Sequence, residues 1–233
     1  MKQVGICQKG RKIHMAQTNY EQTRDKAQLL FLQHDQSGMI EKFHLKHDEQ
    51  YLYINFVGRE YRIDRSTGKI EWSEDGYSHA VQGNFDETLS IFDLLCCSKE
   101  GCHLSGRFSR INNLKGTVYS SGLGNDIFQS SVKYFEEDVD NFARACEQLG
   151  GIREKVGDIS YRIPVYDFLP VILQLWIGDE EFPSSMQILW DENVMDYMHY
   201  ETTYYCVSQL LRRLRELMAS TREKKENIRK TGR

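Results

Sequence analysis

Alternating apolar and polar residues predict a three-strand antiparallel meander over residues 51–72. In QYLYINFVGREYRIDRSTGKIEW, every second residue is apolar within each of three short runs. Gly58 separates the first two runs, and the segment RSTG separates the last two. A two-residue period places alternate side chains on opposite faces of a strand, and short glycine-containing turns connect antiparallel neighbours. The meander therefore supplies one part of a sheet with an apolar face.

A second group of strands is predicted after the two glycines at residues 150–151. The runs IREKV, ISYRIPV, FLPVILQLWI and MQILW are short and bounded by polar segments. The third run is apolar on both faces, which favours an interior strand that is covered on each side. We expect it to form a hairpin with MQILW through the loop GDEEFPSS, residues 178–185.

Apolar residues spaced by three and four positions predict helices around these strands. The segment NYEQTRDKAQLLFLQHD is expected to start at Asn19, and DETLSIFDLLCCSK is expected to be capped by Asp86. Unbroken spacing over residues 128–149 predicts one helix that ends at the glycines. A last helix is predicted from about residue 201 to residue 218.

Together these elements predict an α+β fold, with a mainly antiparallel sheet and packed helices in a single compact domain. Runs of strands are separated by helices, without the strict strand–helix alternation of a parallel sheet. We assign the domain to residues 19–218. Residues 1–18 are expected to be a loose segment, and residues 219–233 a basic, disordered tail, because neither end carries an apolar face to bury.

Composition and charge narrow the class of function. The 233 residues carry a net charge of −4, and 12% of them are aromatic. A chain of this charge lacks the excess of basic residues that attracts nucleic acid, so we expect no nucleic-acid partner. Its longest apolar run is too short to cross a bilayer and no signal peptide is evident, so we expect no membrane partner and a cytoplasmic location. The six cysteines are expected to be reduced.

The sequence contains none of the common catalytic signatures. The patterns G-x-S-x-G, H-E-x-x-H and paired C-x-x-C do not occur. Cys96, Cys97, Cys102 and His103 are zinc-type ligands, but their spacing lacks the paired knuckle of structural zinc sites. No metal ligand is therefore assigned, and the cofactor is unknown.

The segment from residue 178 to residue 201 carries seven carboxylates and an imidazole and forms the candidate site. Carboxylates and an imidazole suit a divalent cation or general acid–base chemistry. If the hairpin forms, its two ends lie about 15–20 Å apart, and the acids divide into two separate solvated patches. We favour this division over a joint site. The candidate binding residues are Asp179, Glu181, Phe182, Asp191, His199 and Glu201.

Several segments of the chain resemble one known family. LWIGDEEFPSSMQILWDEN and YETT, with FVGREYRIDRSTGKIEW upstream and LSGRF between them, are similar to the family of domain of unknown function 3786, over roughly residues 19–217. The resemblance implies a soluble protein of anaerobic bacteria or archaea with no assigned activity, and it adds weight to residues 178–183 and Asp191 as a site. The chain departs from the family pattern at Asp196, where relatives often carry His, and at Thr202, where they carry a second acid. It also lacks the four-cysteine run of the iron–sulfur domain that is joined to some relatives.

Two classes of function follow as expectations. The first is an accessory module that binds a cofactor, a small molecule or a protein partner in anaerobic redox or one-carbon metabolism, which suits the aromatic-rich composition. The second is a metal- or carboxylate-dependent enzyme that uses the acids of residues 179–201. A weaker third possibility is that the basic tail docks an acidic partner. The enzyme requires Asp179, Asp191 and His199 to lie close together, whereas the binding module does not.

Overall fold

The chain folds as helices packed around one large antiparallel sheet. The structure is a computed structural model and describes residues 19–114 and 125–231, so the loose segment predicted at residues 1–18 lies outside the described residues. Within those ranges, six α-helices accompany a ten-stranded sheet in which every strand pair is antiparallel. The predicted α+β class is confirmed.

The strands follow a simple order across the sheet. The helices are α1 (Asn19–Gln33), α2 (Gln36–Phe43), α3 (Phe85–Cys97), α4 (Asn125–Glu136), α5 (Val139–Gln148) and α6 (Tyr200–Thr231). The strands are β1 (Lys46–His47), β2 (Tyr51–Phe56), β3 (Arg59–Asp64), β4 (Ile70–Trp72), β5 (Val81–Gln82), β6 (Phe108–Arg110), β7 (Ile152–Arg153), β8 (Ile159–Tyr166), β9 (Leu169–Trp176) and β10 (Ser185–Asp191). The order is β5-β4-β3-β2-β8-β9-β10-β6, with β1 beside β2 and β7 beside β8.

The predicted meander is present as β2, β3 and β4, and a tight turn joins its first two strands. Val57 and Gly58 form this turn with φ angles of 47° and 69°. A positive φ is unusual for a β-branched residue, so the surrounding structure must hold Val57 in place. Its backbone N–H donates to the carbonyl of Val165 at 2.8 Å, beside the pairing of Phe56 with Tyr166. The turn thus joins the meander to the second group of strands.

The predicted hairpin of β9 and β10 is also present. Ser185 pairs with Trp176 at the loop end, and Trp190 pairs with Val171 at the other end. Strand β9 lies between β8 and β10 in the interior of the sheet, as its two apolar faces predict. The hairpin therefore fixes the distance between the acids that precede and follow β10.

Helices α3 and α6 are joined by a buried polar contact. Glu87 is 2% exposed and accepts hydrogen bonds from Nε2 of Gln209 at 2.6 Å and from the backbone N–H of Asn84 at 2.7 Å. Asn84 is the N-cap of α3 and forms a capping box with Glu87. The prediction that Asp86 caps this helix is therefore wrong, because the cap lies two residues earlier.

Two helix boundaries differ from the predictions. The single helix predicted over residues 128–149 is two helices, because Asp138 caps α5 by accepting from the N–H of Asn141 at 3.2 Å. The apolar spacing continues across this break, and Phe135 stacks on Phe142 at 4.5 Å. Helix α6 runs to Thr231 and not to residue 218, since its last turns are rich in good helix formers. The basic segment expected to be disordered from residue 219 is thus helical as far as Thr231.

None of the helices described in residues 19–114 and 125–231 has both the length and the apolar character needed to cross a membrane.

Candidate functional site

The acids of the loop between β9 and β10 shape the loop itself. Oδ1 of Asp179 accepts hydrogen bonds from the backbone N–H groups of Phe182 at 2.8 Å and Glu181 at 2.9 Å. These two donors hold the pKa of Asp179 below its ordinary value. Glu181 and Phe182 point into solvent. The carboxylate of Asp179 is therefore occupied in a local turn.

Asp191, at the other end of the hairpin, is completely buried. Its carboxylate accepts from the backbone N–H groups of Ser105 at 2.9 Å, Gly106 at 2.8 Å and Asn193 at 2.9 Å. The expectation that Asp191 faces water is wrong, because three backbone donors replace its hydration. This carboxylate anchors the segment LSGRF to the end of β10.

The hairpin keeps Asp179 and Asp191 apart. The six paired positions between Ser185 and Trp190 separate the loop from the buried acid by about 20 Å at the rise of a β-strand. The carboxylates of residues 179–191 therefore do not form one group around a shared ligand.

His199 has a different partner, on helix α3. Its ring Nδ1 lies 2.5 Å from Oδ1 of Asp93, and its backbone N–H donates to Oδ2 of the same carboxylate at 2.8 Å. A carboxylate accepts and does not donate, so Nδ1 carries the proton of this hydrogen bond. The side chain of His199 is 66% exposed and that of Asp93 is 14% exposed. The pair thus lies at the surface with its carboxylate largely covered.

Cys97 completes a cluster with Asp93 and His199. Asp93 and Cys97 are four residues apart on α3 and share one face of the helix. A carboxylate oxygen of Asp93, Sγ of Cys97 and a ring nitrogen of His199 all lie within 4.8 Å of one another. Among the described residues, this group of His, Cys and Asp side chains lies close enough together to share one metal ion.

Hydrogen bonds between the end of α3 and the residues just before α6 hold this cluster in place. Asp93 receives the backbone N–H of His199, the residue just before α6, and so places a negative charge at the positive end of a long helix. After α3, the backbone and the ammonium of Lys99 donate to Asp196 at 2.8 and 2.6 Å. The end of α3 and the start of α6 are therefore fixed relative to each other.

The cluster has two possible chemistries, a cysteine nucleophile and a metal site. A nucleophilic cysteine needs a lowered pKa. Partial burial of the thiol and the neighbouring Asp93 carboxylate instead raise the pKa of Cys97 to about 11, so the group is a thiol at neutral pH. A bound cation reverses this effect, because a coordinating thiol loses its proton to the metal. The raised pKa therefore argues against a nucleophilic cysteine, and a metal site requires the cation to displace the thiol proton.

The other sequence-derived candidates remain outside this cluster. Glu201 is exposed in the first turn of α6. Burial raises the pKa of Cys96 to about 12, and His103 lies near the carbonyl of Gly101. The five cysteines within the described residues are all free. Asp93 was missed by the sequence analysis, although its i,i+4 spacing to Cys97 was a detectable signal.

A surface cleft of about 390 Å³ offers a different type of site, lined by Phe43, Phe168 and several polar residues. Its charged groups are already paired, since Lys46 lies 3.4 Å from Glu60 and Asn55 donates to Asp167 at 2.9 Å. These polar groups of the cleft are therefore already bound to each other, and the cluster on α3 is the stronger candidate site.

A family model described as "Domain of unknown function (DUF3786)" matches residues 35–213, which is most of the chain. The chain belongs to the DUF3786 family. Neither the curated proteins nor the solved structures contain a significant match to it. The matched part of this DUF3786 protein includes Asp93, Cys97 and His199.

Proposed function

We propose that this DUF3786 protein is a metal-binding module that holds a divalent transition metal ion, with zinc as the best match, at Asp93, Cys97 and His199. The observation that carries the proposal is the convergence of an oxygen, a sulfur and a nitrogen ligand within 4.8 Å. Two of these residues are 106 positions apart in the chain, so the arrangement depends on the packing of α3 against α6.

The chemistry of the ligands supports a transition metal in preference to Mg²⁺ or Ca²⁺. Thiolate and imidazole suit zinc and neighbouring transition metals, whereas Mg²⁺ and Ca²⁺ prefer oxygen ligands. Ligand atoms around a tetrahedral zinc ion are about 3.5 Å apart. His199 Nδ1 and Asp93 Oδ1 share a proton at 2.5 Å, so an ion bound by both atoms takes the place of that proton and the two atoms move apart.

Three protein ligands leave one position of a tetrahedral site open. Because Cys97 and His199 are exposed, water, a small molecule or a group from a partner protein has access to that position. This accords with an accessory module whose bound metal meets a partner. The setting in anaerobic redox or one-carbon metabolism, expected from the sequence, remains part of the proposal.

The alternative, an enzyme that uses the acids of residues 179–201, has less support. Asp179 and Asp191 are both engaged by backbone N–H groups, at opposite ends of a hairpin. Of the candidates in that segment, His199 is the residue that enters the proposed site.

Cobalt titration tests the proposal. Reduced, metal-free protein is titrated with Co²⁺, which reports thiolate coordination by a near-ultraviolet charge-transfer band and tetrahedral geometry by visible bands. We expect saturation at about one equivalent and displacement by Zn²⁺. Cys97→Ala and His199→Ala should each weaken binding by at least about tenfold, and Cys97→Ala should abolish the charge-transfer band.

Two controls separate this site from its neighbours. Cys96→Ser removes the adjacent thiol, and the double variant Asp179→Asn with Glu181→Gln removes two of the three loop acids. Both should bind Co²⁺ like the unchanged protein. The proposal fails if the unchanged protein gives no saturable spectrum, or if Cys96→Ser and Cys97→Ala lose the charge-transfer band equally.

A further inference from the structure

Arg215 differs from the other arginines that have a comparably buried guanidinium nitrogen. In the described residues, four arginines have a buried Nε with no hydrogen-bond partner: Arg24, Arg59, Arg213 and Arg215. The first three each form an ion pair with a carboxylate, at 3.7, 3.1 and 2.6 Å. Arg215 forms no such pair with any described residue; its Nη2 donates to hydroxyl groups. Because a partly buried charge is costly without a counter-charge, this difference points to an external anion.

The surroundings of Arg215 form a small cavity with the chemistry of an oxyanion site. The cavity has a volume of about 300 Å³ and lies between α4 and α6. Nη2 of Arg215 lies 3.1 Å from Oγ of Ser130 and 3.0 Å from Oγ of Ser131, which is 1% exposed. The complete lining is Ser130, Ser131, Ser208, Leu211, Arg212 and Arg215.

We infer that this cavity binds a phosphate-type oxyanion between the guanidinium groups of Arg215 and Arg212 and the serine hydroxyls. A guanidinium fork matches the geometry of phosphate oxygens, and hydroxyl groups supply further donors. The volume accommodates a phosphate group together with a small organic substituent.

Two nearby groups modify the electrostatics of the cavity. Asp86 accepts from Ser208 Oγ at 3.0 Å and lies 3.5 Å from Nη2 of Arg212, so it offsets part of the charge of Arg212. The guanidinium carbon of Arg215 lies 5.6 Å from the ring centre of Tyr134, a contact that contributes less than a full counter-charge. Two arginines and one aspartate leave a net positive charge in the cavity.

Calorimetric titration with inorganic phosphate tests the inference. The protein is kept metal-free with a chelator, so the outcome does not depend on the proposed metal site, and sodium chloride at matched ionic strength serves as the reference. We expect saturable phosphate binding that Arg215→Gln weakens at least tenfold. A parallel sedimentation arm, with phosphatidylcholine vesicles that contain or lack phosphatidic acid, distinguishes a lipid headgroup from a free phosphate as the source.

Arg222→Gln is the matched control, because Arg222 lies on the same helix, 4.9 Å from the same Tyr134 ring, but is paired with Asp138 at 3.7 Å. It should bind phosphate normally. Far-ultraviolet circular dichroism checks that each variant is folded. If Arg215→Gln does not fold, Arg215→Lys is used in its place. It keeps the positive charge but lacks the paired N–H donors of the guanidinium, so it should weaken phosphate binding severalfold. The inference is overturned if neither phosphate nor phosphatidic acid binds above the chloride reference, or if the Arg215 and Arg222 variants lose affinity equally.

Discussion

The loop between β9 and β10 and the junction of α3 with α6 use carboxylates in opposite ways. In the loop, Asp179 binds backbone groups two and three residues further along the chain. At the junction, Asp93 binds a residue 106 positions away. The loop is the more acidic stretch of sequence, but the junction is the place where different ligand types meet. A high local density of charge is thus a weaker guide to a site than contacts between distant segments.

The difference has a physical cause. A short acidic loop is well solvated, and an aspartate there satisfies the local backbone without any contribution from the rest of the fold. At the junction, the buried pair of Glu87 and Gln209 holds two helices together, and their ends then present side chains to each other. The positions of those side chains depend on the complete fold.

The largest effect is expected from Asp191→Ala, which tests whether the second end of the hairpin is structural. Removing this carboxylate takes the acceptor from three partly buried backbone N–H groups. We expect the free energy of unfolding to fall by about 3–5 kcal/mol. Urea denaturation measures the loss, and Asp191→Asn, which retains one acceptor oxygen, should lose less. A change below about 1 kcal/mol for Asp191→Ala would contradict the anchoring role.

An intermediate effect is expected at Asp93, where capping and metal binding can be separated. Asp93→Ala removes the acceptor for the N–H of His199 and should lower the free energy of unfolding of the metal-free protein by about 1 kcal/mol. Asp93→Asn keeps an acceptor oxygen and should preserve most of that stability. Co²⁺ affinity should fall in both variants, because the charged ligand is lost. Equal stability of the Ala and Asn variants would show that the cap contributes little.

The smallest effect is expected at Asp179, and it depends on pH. Its folded-state pKa lies below the ordinary value of 3.8, so its carboxylate stabilises the fold above that pH. The contribution disappears as the pH falls through the folded-state pKa. Asp179→Asn should therefore be slightly less stable than the unchanged protein near neutral pH, and the difference should close in acid. Thermal unfolding of the two proteins at about pH 7 and about pH 2 measures the difference in stability. A difference that grows in acid would contradict the lowered pKa of Asp179.

Much of the fold follows from sequence periodicity. The meander and the hairpin of β9 with β10 were predicted because their alternation is regular and their turns are short. Strand β6 was not predicted, since a three-residue edge strand has no detectable alternation. The break at Asp138 was missed because the apolar face of α4 continues into α5 without a shift in spacing.

The site was less accessible to sequence reasoning. His199 was selected for its proximity in sequence to the acids, but its observed partner is Asp93. The i,i+4 relation of Asp93 and Cys97 was visible on a predicted helix, whereas the approach of His199 depends on how α3 packs against α6. Spacing within one helix identifies two of the proposed ligands, and only the tertiary fold brings the third to them.

The contact between Asp191 and the LSGRF segment bears on how relatives of this protein should be compared. Gly106 donates to Asp191 with a φ of 75°, a conformation that favours glycine over any other residue. The LSGRF segment is therefore held to the end of β10 by a structural contact, and similarity in this segment alone reports a shared scaffold. The residues at positions 93, 97 and 199 are the ones that bear on the proposed metal site, and they take no part in this framework contact.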